Sequence, residues 1–150
     1  EQPRAAVDGS DGDGDVHMTV VSKLAAYKQR RIKELREAAR QQIVAGFTSS
    51  ALGAEHYYPS DEQAQGNGLQ AAFAADVDGD GEEMWCQDPT QASVPPHHGW
   101  DFRLHTAEQI KQVGRDFRER KRSIRTALAQ ALFAVEAAST RAEVDAVELS

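Results

Sequence analysis

Apolar residues in the last third of the chain recur every three or four positions, which is the period of an amphipathic α-helix. They are Ile110, Val113, Phe117, Ile124, Leu128, Leu132 and Val135. Thr106 and Gln109 have the spacing of a capping box, and Thr140 and Glu143 repeat that spacing further on. The pattern therefore predicts a long helix over 106–138 and a short helix that begins after Thr140.

A second helical stripe lies nearer the N-terminus. Its apolar members are Leu24, Tyr27, Ile32, Leu35, Ala39, Ile43 and Val44. Ser22 is the expected N-cap, and Gly46 stands where a C-terminal cap glycine is expected. Residues 1–18 are rich in Gly and Asp and are predicted to form a flexible leader or linker. Because the chain begins at Glu1 and not at Met, we expect a processed chain, a trimmed chain or a fragment.

The region between the two long helices predicts short strands, turns and one weaker helix. Its expected elements are a hairpin over 47–59, a helix capped by Ser60 with its clearest part at 69–75, strands at 84–86 and 100–104, and a proline-containing loop over 87–99. The predicted fold class is α+β, with two long helices packed with a small antiparallel sheet, plus short helices. We expect a single domain over 19–150.

The order and spacing of these elements over 22–148 resemble a phage and prophage domain family that has no assigned activity. The matching features are Ala45-Gly46-Phe47 after the first helix, Tyr57-Tyr58-Pro59-Ser60-Asp61 at the end of the hairpin, the helix near Leu69, the strand with Trp85, the segment TAEQI from Thr106, and the terminal AASTRAEVDAV. Two parts depart from the family pattern, because the hairpin tip at 49–54 and the insert at 87–99 are both longer.

The family is often found at the C-terminal end of tail and tail-fibre proteins. The resemblance implies a structural component of a bacteriophage tail, in a fibre, baseplate or adaptor, that mediates protein–protein assembly. It implies a place in the virion after assembly in the bacterial cytoplasm, contacts with other tail proteins, and a homo-oligomer. Two alternatives are a tail-fibre assembly chaperone and a carbohydrate-binding tip that contacts a host surface glycan.

Charge is distributed unevenly along the chain. The net charge of -7 argues against nucleic acid as the partner, and no apolar run is long enough to insert into a membrane. Of the 17 Lys and Arg residues, all but Arg4, Arg103 and Arg141 lie in the two long helical stretches. Arg118 and Arg122 are therefore candidate contacts to a neighbouring subunit, and the alternative is that they are solvated charges on a helix surface.

One acidic segment resembles the first half of a calcium-binding loop. Asp76, Asp78 and Asp80 alternate before Gly81, and Glu82 follows. Gln87 stands where the loop needs a bidentate Glu. Calcium is therefore one interpretation, an acidic surface turn is the other, and no other cofactor is expected. A single cysteine, Cys86, excludes an internal disulfide.

Aromatic and histidine residues supply the remaining candidates. Tyr57, Tyr58 and Trp100 fall in predicted strands, where most aromatics are expected in the core and one or two as exposed anchors for a partner. His97 and His98 lie in the proline-containing loop, for which a contact surface is the favoured interpretation. Because no nucleophile elbow, catalytic triad or phosphate-binding loop is present, the sequence predicts a protein without enzymatic activity.

Overall fold

The computed structural model describes residues 12–150, with side chains from Lys23 onward. Its elements are α1 (Gly12–Val44), β1 (Phe47–Ser49), β2 (His56–Tyr58), α2 (Glu62–Asp78), β3 (Glu82–Gln87), β4 (Trp100–His105), α3 (Ala107–Ala137) and α4 (Arg141–Asp145), with a 3₁₀ turn at Pro89–Gln91. The strands form one antiparallel sheet in the order β1-β2-β3-β4. The α+β fold predicted from the sequence is confirmed.

The first helix is longer than the sequence predicted. It begins at Gly12, so Ser22 lies inside α1 and is not its N-cap. Residues 12–18 of the predicted leader belong to this helix, and residues 1–11 lie outside the described residues. Serine costs little inside a helix, so its capping chemistry alone does not place a helix start.

The described chain divides into two compact units, although the sequence predicted one domain. The first combines residues of α1 up to Glu37 with Leu128–Ser150. Ile32 and Leu35 of α1 pack there with Val135 of α3 and with Val144 of α4. The Arg141 guanidinium lies 4.3 Å from the centre of the Tyr27 ring, and the Tyr27 hydroxyl donates to Asp145. These contacts stabilise the packing of α4 in this unit.

The second unit is Ala38–Ala127 and contains the sheet. Phe47, Tyr58 and Cys86 of the strands pack with Val113 of α3. On α2, the buried residues are alanines, Ala71 and Ala75, and they pack with Ile110 of α3. Small side chains on α2 allow its backbone to lie close to α3.

The predicted capping box at Thr106 is formed, and at Thr140 its hydroxyl half is formed. The Thr106 hydroxyl accepts from the Gln109 backbone N–H, and the Gln109 side chain accepts from the Thr106 N–H at 2.8 Å. At α4, Thr140 caps Glu143 in the same way, while the Glu143 carboxylate accepts from the N–H of Ser139. Both helix starts were readable from the sequence because the capping groups are three residues apart.

Ser60 does not cap the helix that follows it, because Asp61 is the N-cap of α2. The Ser60 hydroxyl instead donates to the Ile43 carbonyl at 2.6 Å and accepts from the Gly46 N–H at 2.8 Å. Gly46 has the predicted left-handed conformation, with φ 103°. One buried side chain from the far end of the hairpin therefore completes the C-terminal turn of α1.

We predict that Ser60→Ala lowers the free energy of unfolding by about 1 kcal/mol, because two part-buried backbone groups lose their hydrogen-bond partner. Chemical denaturation measures this change. Ser123→Ala is the matched control, since Ser123 is exposed within α3. Equal stabilities for the two variants would contradict the structural role of Ser60.

Candidate functional site: the uncovered face of the sheet

The two faces of the sheet have different surroundings. Successive residues of a strand point to opposite faces. The inner face carries Phe47, Tyr58 and Cys86 and is covered by α3 through Val113 and Phe117. No element among the described residues is packed on the opposite face in the same way. We call this opposite side the outer face, and it carries Tyr57, Trp85, Trp100, Phe102 and Leu104.

The outer face is aromatic and open to solvent. Trp85 is 41% exposed, Phe102 57% and Leu104 71%. Trp85 lies directly across from Phe102, with 4.9 Å between ring centroids, and its ring stacks on Trp100 at 6.0 Å. These contacts hold the rings against one another as a preformed surface.

Most strand aromatics were predicted to lie in the core, and for Trp85 and Phe102 this prediction is wrong. The expectation required helices on both faces of the sheet, and only one face has that cover in the described chain. Tyr57, proposed as an exposed anchor, is exposed. Trp100, proposed with it, is partly buried by its stacking on Trp85.

Tyr58, also proposed as a contact residue, is buried in the core, so that proposal is wrong. Its ring stacks against Phe47, and its hydroxyl lies 2.7 Å from Nε2 of His105. Burial is the main cause that raises the pKa of Tyr58 well above its usual value, and the nearby Cys86 adds to the rise. The phenol therefore keeps its proton and donates it.

His105 is the partner that the sequence analysis missed. Its Nδ1 donates to the Arg103 carbonyl at 2.7 Å, so Nε2 is the unprotonated nitrogen that accepts from Tyr58. Burial lowers the pKa of His105 below its usual 6.5. The sequence around His105 gave no indication of this hydrogen bond, because its partner Tyr58 lies 47 residues away.

The thiol of Cys86 is fully buried beside this pair. Arg103 lies close by, donating one N–H to the Cys86 carbonyl at 2.6 Å and another to the Gly99 carbonyl at 2.9 Å. Arg103 therefore ties β3 to the end of the loop that precedes β4. Cys86 and His105 are fully buried, and their contacts here are packing and hydrogen bonds within the sheet.

A cavity of about 660 Å³ lies in the same unit as the sheet. Phe47, Ile110, Val113 and Phe117 are among the apolar residues that line it. Leu69, Trp85 and Phe102 also line it, and all three are exposed. The cavity therefore adjoins the outer face, and its volume is in the range of pockets that accept organic ligands or a partner's side chains.

Helix α2 adds an apolar ridge beside this opening. Leu69, Phe73 and Val77 are spaced four residues apart and are all strongly exposed. The predicted helix near Leu69 is thus confirmed, but Leu69 itself faces solvent, since Ala71 and Ala75 face the core. Residues of the outer face and of this ridge line one cavity.

The calcium candidates do not form a loop. Asp76 and Asp78 lie in the last turn of α2, Gly79 ends the helix, and Asp80 and Gly81 lie between Gly79 and Glu82 at the start of β3. Side chains two positions apart on a helix point in different directions. In the part of the chain that the structure describes, no group of three His, Cys, Asp or Glu residues is placed to hold a metal ion. Calcium binding stays a prediction.

His97 and His98 are exposed in the loop before β4. His98 has a positive φ of 54°, and its Nδ1 lies 2.9 Å from the Ala92 carbonyl. The Asp88 N–H donates to the Gly99 carbonyl and so joins the two ends of the loop. A side chain at Gly99 does not fit there, because an added Cβ would lie 2.3 Å from the Asp88 carbonyl oxygen. The contact role proposed for the two histidines is untested by this geometry.

Arg118 and Arg122 are exposed on α3, as their proposed contact role requires. They are four residues apart and share one side of the helix with Arg115 and Arg125. Arg122 forms a surface ion pair with Glu119 at 3.9 Å. The core residues Val113 and Ile124 lie on the other side of α3, so these arginines do not contribute to the core.

Comparison of the chain with models of protein families, with curated proteins and with solved structures gave no match. The resemblance to the phage domain family therefore stays a prediction. None of the helices in the described residues is long and apolar enough to cross a membrane.

We predict that the stability of the protein falls as pH decreases from about 6.5, because the pKa of His105 is lower in the folded chain than in the unfolded chain. Folding favours the neutral imidazole of His105. Its contribution to the free energy of unfolding is therefore complete above the pKa of the unfolded chain, and it is lost as pH falls through the pKa of the folded chain. Protonated Nε2 no longer accepts the Tyr58 hydroxyl.

His105→Gln, which does not titrate, is expected to flatten this dependence in denaturation measurements between pH 5 and pH 8. His97→Gln is the control, because His97 is exposed in a loop and should leave the slope unchanged. A His105→Gln slope equal to that of the wild type would show that another group causes the loss.

Proposed function

We propose that this chain is a protein–protein interaction domain, and that it serves as a structural component of a bacteriophage tail. The proposal of an interaction domain rests on one observation, the uncovered aromatic face of the sheet. Apolar surfaces of this kind are uncommon on monomeric proteins and mark contact sites. The tail assignment comes from the sequence resemblance, and its location in the virion follows from that assignment.

The area of the exposed surface supports a contact with another protein. The outer face and the ridge of α2 together expose apolar side chains of the order of 700 Å², given the size of aromatic residues. Each partner in a stable protein complex buries about 800 Å². Trp85 and Phe102 pack against each other on this surface, and a few aromatic residues often contribute most of the binding energy of an interface.

An enzyme is not favoured by any grouping of side chains at this surface. The titratable residues that interact closely, Tyr58, Cys86 and His105, are buried on the opposite side of the sheet. The absence of enzymatic activity remains a prediction. A glycan-binding tip uses exposed aromatics as well, and a chaperone uses an apolar surface, so both alternatives are outcomes of the test.

The test replaces Trp85 and Phe102 by Ala in the phage or prophage that encodes the chain. We expect wild-type protein in a fixed number of copies per purified particle, and a loss of incorporation of roughly thirtyfold in the double variant, as expected for central contact residues. Quantitative mass spectrometry of purified particles measures the copy number. Circular dichroism verifies that the variant is folded.

Phe133→Ala is the matched control, because Phe133 is an exposed aromatic on α3 that belongs to the other compact unit. Its copy number should equal that of the wild type. A chain needed for infectivity but absent from purified particles would identify an assembly factor. Normal incorporation of the double variant together with lost adsorption to host cells would identify a glycan-binding tip.

A further inference from the structure

We propose that the outer face of the sheet binds the arginine-bearing side of α3 from a second copy of this chain, so that copies associate head to tail. This inference rests on the proposed function, because it takes the outer face as the contact surface. It goes further by naming the occupant of that face and the chemistry that selects it.

The outer face carries one carboxylate and follows an acidic segment of the chain. Glu83 lies on the same face as Trp85 and opposite Leu104. Asp76, Asp78 and Asp80 lie at the end of α2 and in the turn before β3, and Glu82 begins β3 on the other face. All five carboxylates are exposed. Among the described residues, Lys111 is the cation paired with this segment, at 4.0 Å from Asp76. A partner is therefore favoured if it brings positive charge to an aromatic surface.

One side of α3 has that chemistry. Arg115, Arg118, Arg122 and Arg125 recur at intervals of three and four residues, which places them in one row about 15 Å long. No ion pair or hydrogen bond within the described chain involves the side chains of Arg118 and Arg125. Arg122 has only its weak pair with Glu119. Arg115 donates to the Gln112 side chain at 2.9 Å, so Arg118 and Arg125 are the members of the row that are free to pair with carboxylates of another molecule.

Arginine suits this surface better than a simple positive charge would. A guanidinium group pairs with a carboxylate through two parallel N–H donors, and its flat face stacks on Trp or Phe rings. The outer face presents both groups within one strand pair, with Glu83 two residues from Trp85. An arginine from the second copy thus finds both of its preferred contacts there.

The same charges disfavour the symmetric alternative. If two copies packed sheet against sheet, their acidic segments would approach each other, and like charges across an interface weaken association. Packing α3 on the sheet instead places opposite charges together. Because the two surfaces differ, the contact is heterologous and either closes into a ring or extends into a chain of copies.

The experiment uses two charge-reversed variants and their mixture. The first variant carries Arg118→Glu and Arg122→Glu, and the second carries Asp80→Lys and Glu83→Lys. We expect wild-type protein to form species heavier than a monomer in light scattering coupled to size exclusion. Each variant alone should dissociate, with the dissociation constant raised roughly tenfold or more.

Mixing the two variants is the decisive step. The first retains a wild-type outer face and the second a wild-type arginine row, so the mixture should contain a species of two chains that neither variant forms alone. The control carries Arg36→Glu and Arg120→Glu, which change the net charge equally but lie outside the row. This control should associate like the wild type.

Three results would overturn the inference: a monomeric wild-type protein, a first variant as heavy as the wild type, or a mixture without the two-chain species. A monomeric wild type, together with loss of Trp85→Ala/Phe102→Ala protein from particles, would refute self-association and leave the proposed function standing. Normal incorporation of that variant, with head-to-tail association in solution, would refute the virion role and leave the self-association.

Discussion

The hydrogen bond between Tyr58 and His105 is the constraint on which the arrangement of the sheet depends. It joins β2 to the end of β4 across β3, with both side chains buried. A strand that slips by one residue turns every side chain to the other face. Tyr57 and Tyr58 are chemically identical neighbours, so the sequence of β2 does not distinguish the two registers. The buried imidazole does, because it needs a hydroxyl donor on the inner face.

This choice of register also determines what the other face displays. With Tyr58, Cys86 and His105 turned inward, Trp85 and Phe102 must point outward. The reverse arrangement would bury the two large rings but expose the apolar Phe47 and leave Arg103 directed outward. The side chains of the inner face therefore pack against the one helix that covers it, α3. The large aromatic rings are left on the outer face as a result.

The parts that the sequence predicted correctly are those with local signals. Both capping boxes depend on residues three positions apart, and the hairpin and the helical stripes follow short periods. The outer face was missed because an alternating strand pattern does not tell which side receives a helix. Ser60 was misassigned for a related reason, since its partners Ile43 and Gly46 lie across the hairpin and not in the following helix. Arg118 and Arg122 were identified from the concentration of Lys and Arg in the two long helical stretches, but only the pairing of β3 with β4 shows that Glu83 shares a face with Trp85.

The placement of charge follows from the same division of the sheet. Helix α3 uses one side to cover the inner face, through Val113 and Phe117, so its arginines are confined to the side away from the core. A second group of carboxylates lies at the other border of the unit, where α2 ends and β3 begins. Lys111 is the cation that pairs with this group among the described residues, at 4.0 Å from Asp76, and Arg118 and Arg125 have no ion pair there. Two separate surfaces of opposite sign on one molecule are complementary between copies, and the aromatic rings beside the carboxylates supply the apolar area that charge pairs alone do not provide.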